Sequence, residues 1–147
     1  AKRLQQIKFG VEGTVYLDFA HAPSKVKATV NALKKQYPER KLIACLELHT
    51  FSSLTAEFLK HYNGTMQDAD IAMVYYNPET FKHKRLPVVA PDKVKASFGN
   101  DKTEIVTDTQ TLINRIKTLK EKDTNYLFMS SGNFGGIDLT TIAKELV

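Results

Sequence analysis

Strand-like and helix-like segments alternate along almost all of this 147-residue chain, and that alternation restricts the fold more than any single residue does. Thr14-Val15-Tyr16-Leu17-Asp18-Phe19 is β-branched and aromatic and reads as a strand. Pro23 follows, where proline suits the first turn of a helix. Val26, Val30, Leu33 and Tyr37 then recur at helical spacing, and Pro38 stops the helix. Lys41-Leu42-Ile43-Ala44-Cys45-Leu46 is a short apolar run, as expected of a strand buried on both faces. The pattern predicts a helix over 54–62, ended by Asn63-Gly64. Ile71-Ala72-Met73-Val74-Tyr75-Tyr76 is a third strand, broken by Asn77-Pro78. A basic loop is expected over 79–90, with a short strand at Val88-Val89. A short helix follows over 91–98, then a brief strand at Glu104-Ile105-Val106. Asp108 stands where it can cap a helix whose apolar face is Leu112, Ile113, Ile116 and Leu119. Asn125-Tyr126-Leu127-Phe128-Met129-Ser130 is the last strand. A glycine-rich turn and a closing helix over 137–146 complete the chain.

This order predicts an α/β, Rossmann-like fold: a mostly parallel sheet with helices on both faces. No linker or repeat divides the chain, so residues 1–147 read as a single domain. Composition removes other classes. No run approaches the roughly 18 apolar residues of a membrane helix. Seven Gly and five Pro are too few for a collagen-like or low-complexity chain. Cys45 is the one cysteine, so neither an internal disulfide nor a multi-cysteine zinc cage can form; it reads as a small buried hydrophobe. The first residues carry no apolar leader core, so a cytoplasmic setting is expected. The net charge is 21 − 16 = +5. The densest basic run is Lys82-His83-Lys84-Arg85, readable as a solvated face or as an anion-binding surface. It has no interleaved aromatics of the kind that stack on bases, which argues against a nucleic-acid partner.

In a parallel sheet ligands sit beyond the carboxyl ends of the strands. Three turns of this sequence carry polar groups there. Asp18-Phe19-Ala20-His21-Ala22-Pro23 sets a carboxylate and an imidazole before a helix; Asp18 could bind a ribose or a metal-bound water, and His21 an anion, or Asp18 could simply cap the turn. Glu47-Leu48-His49-Thr50-Phe51-Ser52-Ser53 could orient a substrate or cap a helix. Ser130-Ser131-Gly132-Asn133-Phe134-Gly135-Gly136 could bring backbone N–H groups close to a negative ligand, or serve as a tight connection. No pair of possible metal ligands has the i, i+4 spacing of a helical site, and no phosphate loop of the G-x-x-x-x-G-K-[ST] kind occurs.

Two of these turns together resemble a known family. Val15-Tyr16-Leu17-Asp18-Phe19-Ala20-His21-Ala22-Pro23-Ser24 is similar to the D-[YF]-[AG]-H-x-P turn that opens the C-terminal domain of the Mur ligases, the ATP-dependent amide-forming enzymes of peptidoglycan synthesis. Leu127-Phe128-Met129-Ser130-Ser131-Gly132-Asn133-Phe134-Gly135-Gly136-Ile137 resembles that domain's last strand and glycine turn. It is most like the M-S-x-G-x-F-G-G-I of the murein-peptide-recycling branch, the UDP-N-acetylmuramate:L-alanyl-γ-D-glutamyl-meso-diaminopimelate ligases. Glu47-Leu48-His49-Thr50 stands where this branch and the UDP-N-acetylmuramate–L-alanine ligases carry E/Q-P-[HR]-[RST]. The resemblance runs from about residue 10 to the end. It departs at Ala22, where the family usually has Asn or His, and at His49-Thr50-Phe51-Ser52, which lacks the frequent arginine.

The resemblance implies the C-terminal substrate-binding domain of a three-domain ligase, beside a UDP-sugar-binding domain and a central ATPase domain. Such an enzyme activates the carboxylate of UDP-N-acetylmuramate as an acyl phosphate, and the amine of a peptide or amino acid attacks it. ATP and Mg²⁺ would be bound mainly by the central domain. Carried over by motif, Asp18 and His21 are the implied catalytic residues. His49, Thr50, Ser52, Ser130, Ser131, Asn133, Phe134 and Gly135 are the implied contacts for the incoming substrate or the closed site. Lacking a phosphate loop, the chain is expected to be inactive by itself. The alternatives are a stand-alone nucleotide- or anion-binding Rossmann-like module and a small hydrolase using Asp18 and His21. No G-x-S-x-G elbow supports the latter.

Overall fold

Side chains alternate across a strand, so a strand buried on both faces must feed two cores. The computed structural model, which describes residues 4–10, 12–49 and 55–147, is organised this way. Strand β3 (Lys41–Glu47) sends Leu42, Ala44 and Leu46 to one face and Ile43 and Cys45 to the other. Strand β6 (Thr124–Met129) divides Leu127 and Met129 from Tyr126 and Phe128 in the same way. On the first face lie α1 (Pro23–Gln36), α2 (Ala56–Leu59), α3 (Pro78–His83) and α4 (Pro91–Phe98); Val26, Val30, Leu33, Leu59, Phe81, Val94 and Phe98 fill the core. On the second lie α5 (Thr109–Thr118) and α6 (Leu139–Leu146), packed through Leu112, Ile116, Ile142, Ala143 and Leu146. The helical stripe expected from Val26, Val30 and Leu33 is the buried face of α1, and Asp108 caps α5 by accepting from Thr111 N at 2.9 Å.

Among the described residues, six strands form one sheet in the order β1-β2-β6-β3-β4-β5. Strands β2 (Gly13–Asp18), β6, β3, β4 (Ile71–Tyr75) and β5 (Glu104–Val106) are parallel, which makes the expected α/β sheet. Strand β1 (Gln5–Gly10) pairs antiparallel to β2 at the edge and has no counterpart in the sequence reading. Half of its residues are exposed, Phe9 at 71%, and only Ile7 packs against a core, so little in its composition marks it as a strand. β6 fills the slot between β2 and β3, so the carboxyl ends of these three strands lie side by side.

Two expectations need correction. The basic loop expected over 79–90 is helical in its first part: Pro78 occupies the first turn of α3 and the Asn77 side chain accepts from Glu79 N at 3.0 Å. Buried Phe81 anchors this helix, which at six residues is too short to display a period. Val88-Val89 joins no strand, and Val88 is exposed. The helix expected over 54–62 is shorter as well, α2 passing into a 3₁₀ turn at Lys60–Tyr62; Leu54 lies outside the described residues. Among the described residues, no helix is long and apolar enough to cross a membrane.

Gly13 shows how closely β2 and β6 approach. A Cβ built there would stand 1.8 Å from the Thr124 carbonyl oxygen. Gly13→Ala should therefore lower the unfolding free energy by at least about 2 kcal/mol; an unchanged denaturation midpoint would refute this packing. Alkaline pH should also destabilise the fold. Burial raises the Cys45 thiol above its ordinary 9.0 and pushes the Tyr62 phenol from 10.0 up to about 12. The folded chain then holds protons that the unfolded chain releases, so stability is full below pH 9 and falls as pH rises toward 12. Unfolding free energies measured from pH 8 to about 11 should decline, and a flat profile would contradict it.

Candidate functional site

Three turns meet where β2, β6 and β3 end. The Asp18 carbonyl accepts from Ser130 N at 3.0 Å, joining the first turn to the third. Glu47 joins the second to the third: its Oε1 accepts from Ser130 Oγ at 2.5 Å and from Phe134 N at 2.9 Å. Ser130 Oγ in turn accepts from Gly132 N at 2.7 Å. Glu47 and Ser130 are both buried, so this carboxylate is a fastener in a dry setting, where an acceptor with two donors is well satisfied. The sequence reading has Glu47 only as the first residue of the second turn, with no partner assigned to it. Its position as the last residue of a buried strand, facing a serine at the next strand's end, is the signal that could have found it.

Asp18 is only 7% exposed, and both its oxygens are engaged. Oδ1 accepts from Ala20 N at 3.1 Å and Oδ2 from Thr29 Oγ1 at 2.8 Å. It caps its own turn and ties it to α1. Asp18 and Met129 pair across β2 and β6, and the Met129 side chain belongs to the α1 face; Glu47 and Ser130, one register step on, serve the α5/α6 face. The carboxylates of Asp18 and Glu47 thus share an end of the sheet but work on opposite faces. His21 is half-buried. Its Nδ1 lies 3.1 Å from the Phe19 carbonyl oxygen and its ring meets Phe19 edge-on at 5.7 Å. With the proton on Nδ1 donated to Phe19, Nε2 is the acceptor nitrogen.

In the glycine turn the implied contacts have different fates. Phe134 is a core residue, 0% exposed and packed against Phe128 and Tyr75; its backbone N–H, not its ring, takes part in the site. Ser130 is consumed by Glu47 and Gly132. Asn133 is exposed, and its Oδ1 accepts from Gly136 N at 3.1 Å. Gly135 has φ +72°, and a Cβ there would meet Thr109 Oγ1 at 2.6 Å and Tyr75 Oη at 2.7 Å, so glycine is required on both counts. Ser131 Oγ is buried and finds no hydrogen-bond partner among the described residues. His49 is exposed and lies against Gly132, where a Cβ would come within 3.0 Å of its ring. Thr50 and Ser52 lie outside the described residues.

His49 also borders an open groove of about 620 Å³ shared with Asn77, Glu79, Thr80, Lys82, His83 and Lys84. The basic run of the sequence is therefore drawn up beside the strand ends, around the last turn of α3. Among the described residues, no three His, Cys, Asp or Glu side chains converge as a metal cage.

The comparisons with known proteins fall on this same framework. Residues 2–132 match the family described as Mur ligase, glutamate ligase domain. The chain is 32% identical to the UDP-N-acetylmuramate–L-alanine ligase of Chlorobium phaeobacteroides over 99% of its own length and 31% of that protein's. A solved domain of a protein assigned as a UDP-N-acetylmuramate:L-alanyl-γ-D-glutamyl-meso-diaminopimelate ligase from Haemophilus ducreyi superposes with TM-score 0.66 at 26% identity, covering 99% of this chain and 100% of that one. The murein peptide ligase of Psychrobacter arcticus shares the fold, with TM-score 0.76 at 20% identity, over 99% of this chain and 30% of that one. The chain thus spans about a third of the full-length relatives and all of the Haemophilus domain.

If Glu47 fastens the turns as described, Glu47→Ala should cost about 3 kcal/mol, because two buried donors lose their acceptor. Glu47→Gln keeps an acceptor oxygen and should cost less than about 1.5 kcal/mol. Urea denaturation of the two variants checks this; equal losses would show that the hydrogen bonds are not the cause.

Proposed function

Because the chain belongs to the Mur ligase, glutamate ligase domain family, we propose that it is the C-terminal, substrate-binding domain of an ATP-dependent peptidoglycan-precursor ligase. The full protein joins the amine of a peptide or amino acid to the carboxylate of UDP-N-acetylmuramate, in cell-wall synthesis or murein recycling. The reading rests on one observation above all: the His21 turn, His49 and the glycine turn stand together at the ends of adjacent strands, where a parallel sheet receives ligands. The UDP-sugar-binding and central domains of the same protein are its partners, and the setting is cytoplasmic.

In this reading, the chain's own residues orient and hold. ATP and Mg²⁺ supply the acyl phosphate and belong mainly to the central domain; this chain has no phosphate loop, and both Asp18 oxygens already accept bonds within it. Asp18 acts by fixing the turn that carries His21, whose Nε2 faces the chemistry as an acceptor or, protonated, as a cation beside phosphate oxygens. The exposed backbone of Gly132, Asn133, Gly135 and Gly136 and the buried Ser131 hydroxyl border the reacting amine. The groove bordered by His49 and His83 offers Lys82 and Lys84 as cationic partners to the carboxylates of the incoming peptide. Glu79, paired with Lys82 at 3.3 Å, offers a carboxylate to a free amine.

The test is an ATP-dependent ligation assay of the full-length protein with UDP-N-acetylmuramate and either free tripeptide or single amino acids. Asp18→Ala should lower the rate by about 100-fold through misplacement of the turn, and an unchanged rate would remove Asp18 from the site. The 147-residue chain should show no ATP hydrolysis; robust turnover by it would sink the domain reading. If no phosphate loop is encoded in frame upstream, the ligase reading fails and a stand-alone anion-binding module takes its place.

A further inference from the structure

The turn that carries His21 is anchored on both sides. Upstream, Asp18 binds Ala20 N and Thr29 Oγ1. Downstream, the Ala22 carbonyl accepts from Lys25 N and Val26 N, each at 3.0 Å, as α1 begins. Between these anchors the backbone at His21 is held from a distance: the Tyr62 hydroxyl donates to the His21 carbonyl oxygen, from 41 residues further along the chain.

Tyr62 is well built for that contact. Its ring is 1% exposed, stacked on Phe98 at 5.1 Å and 17° and met edge-on by Phe58 at 6.0 Å. Its own carbonyl accepts from Thr65 Oγ1 at 2.7 Å. Ring and backbone are therefore placed by contacts in which the hydroxyl has no part. Phenylalanine would fill the same core, so the hydroxyl is what the position adds, and a buried tyrosine hydroxyl needs a partner. Burial pushes the phenol up to about 12, which keeps it a donor across the neutral range.

We propose that Tyr62 is a positioning residue for His21, its hydroxyl fixing the backbone from which the imidazole is aimed at the reacting groups. The structural half stands on the geometry, and the catalytic half rests on the ligase reading. Two residues flanking one connection thus fasten two turns: Glu47, the last of β3, holds the glycine turn, and Tyr62 holds the His21 turn.

The experiment compares Tyr62→Phe with Tyr126→Phe, which removes a hydroxyl paired to the Glu121 backbone on the lower part of β6. In the full-length protein, Tyr62→Phe should lower kcat about tenfold with KM for ATP unchanged, and Tyr126→Phe should leave kcat alone. In the 147-residue chain, which matches the whole of the Haemophilus domain, the His21 imidazole resonances should move in Tyr62→Phe and not in Tyr126→Phe. Unmoved His21 resonances overturn the proposal whatever the activity. An unchanged kcat beside moved resonances, or an equal kcat loss in both variants, overturns it as well. Moved resonances in a protein whose wild type ligates nothing support the positioning role and overturn the ligase reading instead.

Discussion

One carboxylate oxygen holds the functional end of this molecule together. Glu47 Oε1 takes a hydrogen from Ser130 Oγ and another from Phe134 N, so the second and third turns have a common fixed point. Ser130, once bound, presents its hydroxyl oxygen to Gly132 N, and Phe134 is drawn down into the core between Phe128 and Tyr75. The exposed backbone of the turn is then stretched between two buried anchors. An acceptor in a dry environment holds such a loop more firmly than a surface contact could.

The sheet's pleat explains why the polar residues at this end do not form one cluster. Neighbouring strands put successive side chains on alternate faces. Asp18 serves the α1 side and Glu47 with Ser130 the α5/α6 side, so each carboxylate organises a different turn. What unites the turns is the backbone bond from Ser130 N to the Asp18 carbonyl and the contact of His49 with Gly132. The strand ends are thus an arrangement of loops steered by two separate buried acids.

Most of the fold was legible because its core strands are apolar on both faces and its longer helices keep a clean stripe. The strands read over 41–46, 71–76 and 125–130 announce themselves by composition, and Val26, Val30 and Leu33 by spacing. Strand β1 escaped because an edge strand with one core-packed apolar residue, Ile7, carries little pattern, and α3 because six residues hold fewer than two turns. The site was legible as a set of turns but not as a division of labour. Asp18 and His21 were visible in their motif, yet nothing in a linear string says that the Asp18 oxygens are both bound within the chain. Phe134 stood among polar residues and glycines and was taken with them, although its ring is core. Tyr62 was hidden because its partner is a backbone carbonyl 41 residues away, and a carbonyl leaves no mark in sequence.

The placement of β6 has a consequence for how the molecule is made. β2 and β3 share no hydrogen bonds; each pairs with β6, which stands between them and follows both by more than 75 residues. Without β6, the strand pairs that remain are two strips, β1-β2 and β3-β4-β5, each with an unpaired edge at the place β6 occupies. Contacts between elements so far apart in sequence are slow to form, and open strand edges invite pairing with other chains. Residues 124–129 therefore work as a keystone delivered last. A chain deprived of them would expose two bare edges open to pairing with other chains.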